Sequence, residues 1–122
     1  MKKMVNVLVV DDSGFMRNMV KKLIEGAGGT VIGEAENGEE AVSKYDELKP
    51  DLVFMDIMMP KVTGLEALKQ IMEKDKQARI VMCTSVGQEK VINEAVEAGA
   101  ADFITKPFSD EDVKTVVSKY SG

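Results

Sequence analysis

Residues 5–14 read VNVLVVDDSG, a short and almost continuously apolar run that stops at a pair of aspartates and a turn. Side chains alternate across a sheet, so a strand that is apolar at nearly every position must be covered on both faces, as in a parallel sheet flanked by helices. The same pattern recurs outward from this stretch. Apolar runs lie at about 5–10, 31–35, 51–55, 80–84 and 101–105. A chemically distinctive residue follows directly on four of them. Asp11 and Asp12 close VNVLVV, Asp56 closes DLVFM, Thr84 with Ser85 ends RIVMC, and Lys106 follows ADFIT with Pro107 next.

Segments with helical spacing separate the runs. Phe15, Met19, Leu23 and Ala27 recur every four residues beside Met16, Val20 and Ile24. Leu65, Leu68, Ile71 and Met72 follow three-and-four spacing, as do Val113, Val116, Val117 and Tyr120. Gly28-Gly29 ends the first helix, Asn37-Gly38 opens the second, and Lys49-Pro50 precedes the third strand. Ser109, followed by Glu111 and Asp112, suits the start of the last helix. Five β-α units predict one α/β domain over residues 1–122, an open, doubly wound parallel sheet with helices on both faces. Either common strand order puts the first and third strands together or nearly so. Ligands then bind beyond the carboxyl ends of the strands.

Composition narrows the chemistry. With 44% hydrophobic and 30% charged residues the chain is globular in character. No apolar stretch approaches the roughly 20 residues of a membrane span. The start, MKKMVNVLVVDDSG, lacks a signal peptide's long apolar region and cleavage site, so it reads as a first strand and the expected location is cytoplasmic. A net charge of −5 argues against nucleic acid as a partner. Without histidine, and with Cys83 as the single cysteine, a structural zinc site is not expected. Any metal is expected to be a hard, oxygen-bound ion such as Mg2+.

Asp11, Asp12 and Asp56 suit a magnesium ion, and a carboxylate can attack phosphorus to give an aspartyl phosphate. Lys106 and the cation would offset the repulsion among crowded acids, and the Thr84 hydroxyl could bond a phosphoryl oxygen. Two rivals fare worse. A flavin or nucleotide binder wants a phosphate-cradling loop, whereas DDSGFM offers one glycine and two acids. An aspartate-dependent phosphatase usually sets its nucleophile and acid two residues apart.

The stretches VLVVDDSGFMR, LVFMDIMMPKVTG, VMCTS and AGAADFITKPF together resemble the receiver domain of two-component response regulators, in particular the free-standing chemotaxis members. The likeness covers essentially the whole chain. It implies a flavodoxin-like (βα)5 fold with strand order 2-1-3-4-5. It implies that Asp56 accepts a phosphoryl group from the phosphohistidine of a CheA-like histidine kinase. Asp12, Asp56 and the backbone carbonyl of Met58 match the family's Mg2+ ligands, and Asp11 helps through the metal's shell. Lys106 and Thr84 match the residues that contact phosphoryl oxygens, and the Lys106–Pro107 bond is expected to be cis. Such a protein promotes its own phosphorylation and dephosphorylation but is a signalling phosphoacceptor, not an enzyme.

The family's switch pairs a hydroxyl with an aromatic ring, here Thr84 and Phe103. Phe103 stands where some relatives have tyrosine, so ring position and not a phenolic hydroxyl is expected to be read. Met58 and Val86 are apolar where fast self-dephosphorylating relatives are often polar, which implies slower hydrolysis and a separate phosphatase. The chain ends soon after the fifth helical segment, so the expected output is protein binding by a monomer, without nucleic acid or membrane insertion. The implied output partner is a flagellar or archaellar motor switch or adaptor protein. It would dock on the face around Phe103, Lys90, Val91 and Lys114, with the kinase near Phe15 and Met16. The competing assignment is a stand-alone phosphorelay intermediate that passes the phosphoryl group to a histidine phosphotransfer protein.

Overall fold

The computed structural model describes residues 5–57, 59, 62–85, 89–106 and 109–120. Strands and helices alternate: β1 (Asn6–Val10), α1 (Gly14–Gly26), β2 (Thr30–Ala35), α2 (Gly38–Leu48), β3 (Leu52–Asp56), α3 (Gly64–Lys74), β4 (Ile80–Thr84), α4 (Glu89–Glu97), β5 (Asp102–Thr105) and α5 (Asp110–Lys119). The strands form one sheet in the order β2-β1-β3-β4-β5, with every neighbouring pair parallel. This is the doubly wound five-stranded arrangement expected from the sequence.

The period of two sorts the apolar runs into two cores. Leu8, Val10, Val53, Met55, Ile80 and Met82 pack on one face against Ala41 and Tyr45 of α2, Leu68 and Ile71 of α3, and Ala95 of α4. Val7, Val9, Leu52, Phe54, Val81, Cys83 and Ile104 pack on the other against Val20 and Ile24 of α1 and Val113, Val116 and Val117 of α5. Each large side chain so buried contributes about 1.5–3 kcal/mol. Burial in apolar surroundings also pushes the Cys83 thiol well above its ordinary pKa, so it packs as a small hydrophobe.

The helix ends follow the sequence punctuation. Asn37 accepts from the Glu40 amide at the start of α2, and Ser109 and Asp112 form a reciprocal capping box at the start of α5. After α1, Gly28 takes φ +93°, and the Gly28 and Gly29 amides return to the Glu25 and Ile24 carbonyls. One detail of α1 differs from the simplest reading of its spacing. Val20 and Ile24 are buried and Leu23 and Ala27 pack beside them, whereas Phe15 and Met19 are exposed. Two apolar stripes lie side by side on this helix, and only the tertiary fold decides which of their residues face the sheet.

Candidate functional site

Parallel strands place all their carboxyl ends at one edge, and the distinctive residues gather there. The carboxylates of Asp11, after β1, Asp12, and Asp56, at the end of β3, each offer an oxygen within 4.8 Å of the others. Asp11 and Asp56 are buried and Asp12 is exposed, so the cluster opens to solvent on one side. Lys106, just past β5, reaches back over the sheet edge. Its Nζ lies 3.2 Å from Asp11 Oδ2 and 3.5 Å from Asp56 Oδ1. Burial works against the ammonium, but Asp56 and then Asp11 outweigh it and hold the Lys106 pKa above the ordinary lysine value. Lys106 therefore stays charged throughout the neutral range.

The backbone around the cluster is tightly specified. Asp11 Oδ1 accepts from the Ser13 amide at 2.9 Å, and the Lys106 amide donates to the Thr84 carbonyl at 2.6 Å. After Asp56 the chain passes so close to α3 that a Cβ at Gly64 would collide with the Asp56 carbonyl oxygen and crowd Ile57 Cα at 2.8 Å. The Gly64 amide donates to the Ile57 carbonyl at 2.9 Å and closes this turn. Any side chain at position 64 would displace the Asp56 backbone.

Strand alternation divides the remaining residues. Asp56 continues the parity of Leu52 and Phe54, and Lys106 that of Ile104, toward α1 and α5. Thr84 continues that of Ile80 and Met82, toward α3 and α4. Phe103 lies opposite Met82 in the β4–β5 ladder and shares the Thr84 face. Thr84 is buried, with its hydroxyl donating to the Ser85 carbonyl at 3.2 Å, while Phe103 is 43% exposed. The structure thus brings Asp11, Asp12, Asp56 and Lys106 together and sets Thr84 and Phe103 on neighbouring strands. Lys90 and Lys114 are exposed, whereas Val91 is partly buried and lines a small apolar cavity of about 170 Å3 with Ile57, Thr63 and Leu65. Met58, Val86 and Pro107 lie outside the described residues, and with them the backbone ligand, the hydrolysis positions and the cis bond.

The roles of two residues escaped the reading of the sequence. Gly64 closes the motif that contains Asp56, but its collision with the Asp56 backbone is visible only in three dimensions. Arg17 donates from Nη1 to the Asp11 carbonyl at 2.7 Å and from Nε to Glu34 Oε1 at 3.0 Å. A basic residue in the second turn of a helix carries no local signal of that contact.

An acidic cluster with a lysine at the carboxyl edge of this sheet order has close counterparts. Residues 7–118 match the response regulator receiver domain, and the chain belongs to that family. Within it, the chain is 52% identical over 115 residues to the chemotaxis protein CheY of Thermotoga maritima, covering 94% of this chain and 96% of that one. It is 51% identical over 112 residues to the chemotaxis protein CheY of Halobacterium salinarum, 92% of each. Among solved structures, a chain of the CheX–CheY–BeF3–Mg2+ complex from Borrelia burgdorferi superposes with a TM-score of 0.90 at 38% identity, over 97% of this chain and 90% of that one. The protein is a CheY-like receiver domain of two-component signalling. No helix among the described residues is long and apolar enough to cross a membrane.

Proposed function

We propose that this chain is a chemotaxis switch in which Asp56 accepts a phosphoryl group from a histidine kinase in a Mg2+-dependent reaction. The phosphorylated form then binds a motor switch or adaptor protein. The observation that carries this reading is the meeting of three carboxylates within 4.8 Å, with Lys106 bridging two of them.

The donor set fits magnesium. Three carboxylates at one open mouth match a small hard cation that keeps several waters and takes one or two carboxylates. Asp12 and Asp56, with the Met58 carbonyl, would hold the ion, and Asp11 would act through its water shell. When bound, the ion supplies positive charge to the phosphoryl oxygens.

The side chains do the rest. An Asp56 carboxylate oxygen attacks the donor's phosphorus and a new O–P bond forms. The bond from phosphorus to the donor nitrogen breaks, and its electron pair leaves with the imidazole. Lys106, held at this spot by Asp11 and Asp56, meets a phosphoryl oxygen in place of the Asp56 contact and keeps the Asp11 one. Thr84 must give up its bond to the Ser85 carbonyl to donate to a phosphoryl oxygen, which turns the hydroxyl inward. Space vacated on its face is open to the exposed ring of Phe103, so charge at Asp56 becomes a change of shape on β5 and α4. Because Met58 and Val86, two positions beyond Asp56 and Thr84 in the sequence, are apolar, a separate phosphatase partner would end the signal. The B. burgdorferi CheY complexed with CheX supports a partner beyond kinase and motor.

The test is intact mass after incubation with Mg2+ and acetyl phosphate. Wild type is expected to gain one phosphoryl group, and Asp56→Asn, or wild type without Mg2+, none. A folded wild type that gains no mass would sink the reading.

A further inference from the structure

The two acids after β1 are held by different means. Asp11 is fixed through its own side chain, by the Ser13 amide on Oδ1 and Lys106 on Oδ2. Its amide also donates to the Ala35 carbonyl at 3.1 Å. Asp12 is exposed, and among the described residues no hydrogen bond or ion pair holds its carboxylate. Its aim depends on the peptide that precedes it. That peptide is planar, so fixing the Asp11 carbonyl fixes the plane from which Asp12 departs.

The Asp11 carbonyl is the group that Arg17 grips. Nη1 donates to it at 2.7 Å, while Nε donates to Glu34 Oε1 at 3.0 Å; Lys21 Nζ bonds the other Glu34 oxygen at 3.0 Å. The guanidinium is planar and its donors are rigidly related, so anchoring one end on β2 directs the other. Arg17 is largely buried, and neither Arg17 nor Glu34 belongs to the acidic cluster.

We propose that Arg17 is a positioning residue for the magnesium site: braced on Glu34, it holds the Asp11–Asp12 peptide so that the otherwise unheld Asp12 carboxylate stays aimed at the cation. This rests on the reading that the acids bind Mg2+. Partners of this kind behind metal ligands commonly cost 10–100-fold in affinity when removed.

The experiment is calorimetric titration of Mg2+ into wild type, Arg17→Ala and Glu34→Gln, with thermal unfolding of each in metal-free buffer. Arg17→Ala is expected to bind Mg2+ about tenfold more weakly. Its mass gain from acetyl phosphate should return to the wild-type rate once Mg2+ saturates, because Arg17 touches no reacting atom. Glu34→Gln keeps the guanidinium but loosens its brace, and is expected to lose about two- to threefold. A role through charge alone predicts the opposite sign, since removing a cation beside the acids would tighten Mg2+. Equal or tighter binding by a folded Arg17→Ala overturns the proposal. If that variant does not fold, unchanged affinity in Glu34→Gln overturns it instead. A wild type that binds no Mg2+ would remove the metal reading itself, whereas variants equal to a binding wild type remove only the clamp.

Discussion

The centre of the sheet and its β5 edge are built to different specifications. Every residue of β3 and β4 is buried, and so is β1 from Val7 onward, whereas β5 buries only Ile104. Asp56 and Thr84 end the buried strands β3 and β4, and buried Asp11 follows β1 directly; Phe103 stands on the exposed strand. The difference teaches a division of labour. Groups that must keep sub-ångström geometry are set where any shift would break close packing. The aromatic ring that moves in the proposed switch sits where few apolar contacts resist it. Lys106 joins the two, since it leaves the edge strand but spends its charge on the centre.

Paired truncations give the largest contrast. Phe54 is 1% exposed and Phe103 43%. Phe54→Ala is expected to cost about 3–5 kcal/mol in denaturant unfolding without metal, through lost burial and the cavity left behind. Phe103→Ala is expected to cost under about 1 kcal/mol. Comparable losses would mean that the edge is as tightly packed as the centre, and the division would fail.

Lys106→Met sharpens the comparison by cutting its link. Loss of one preorganised charge at a developing phosphoryl transition state should slow adduct formation from acetyl phosphate about a hundredfold. Removing the ammonium also takes the Lys106 charge away from Asp11 and Asp56. Mg2+ should therefore raise the melting temperature of the variant more than that of wild type. An equal shift in both proteins would show that Lys106 does not hold the acids' charge in the resting state.

Much of this was legible before the structure, for physical reasons. Continuous apolar runs ending in acids mark strands buried on both faces, and VNVLVVDD and DLVFMD placed Asp11, Asp12 and Asp56 at one edge. Caps at Asn37 and Ser109 were legible because a side-chain oxygen must meet an orphan helix amide. Strand order was not, since periodicity says nothing of which strands adjoin; the family resemblance supplied it. That Met19 is exposed while Val20 and Ile24 are buried was hidden for a related reason, as helical spacing reveals stripes and not their partners. The Arg17 contact with the Asp11 carbonyl joins a side chain to a backbone atom, and backbone atoms leave no trace in a sequence. The crowding at Gly64 is of the same kind.

The smallest effect bears most directly on what the edge communicates. Phe103 lies on the same sheet face as Thr84, one strand away and in register with Met82. If an output partner reads where the ring sits, the ring's tip need offer no polar contact. Phe103→Tyr adds a hydroxyl to a side chain already 43% exposed, so water can satisfy it and the fold bears little cost. Binding of the beryllofluoride- and Mg2+-loaded protein to its motor-side partner should then change by less than about twofold, within the 0.5 kcal/mol typical of surface substitutions. Phe103→Ala, which leaves no ring to move, should lose most of the difference in affinity between loaded and unloaded protein. A tenfold gain in Phe103→Tyr would mean instead that the partner's surface holds an unpaired polar group waiting for a hydroxyl, and that the edge strand contributes chemistry of its own.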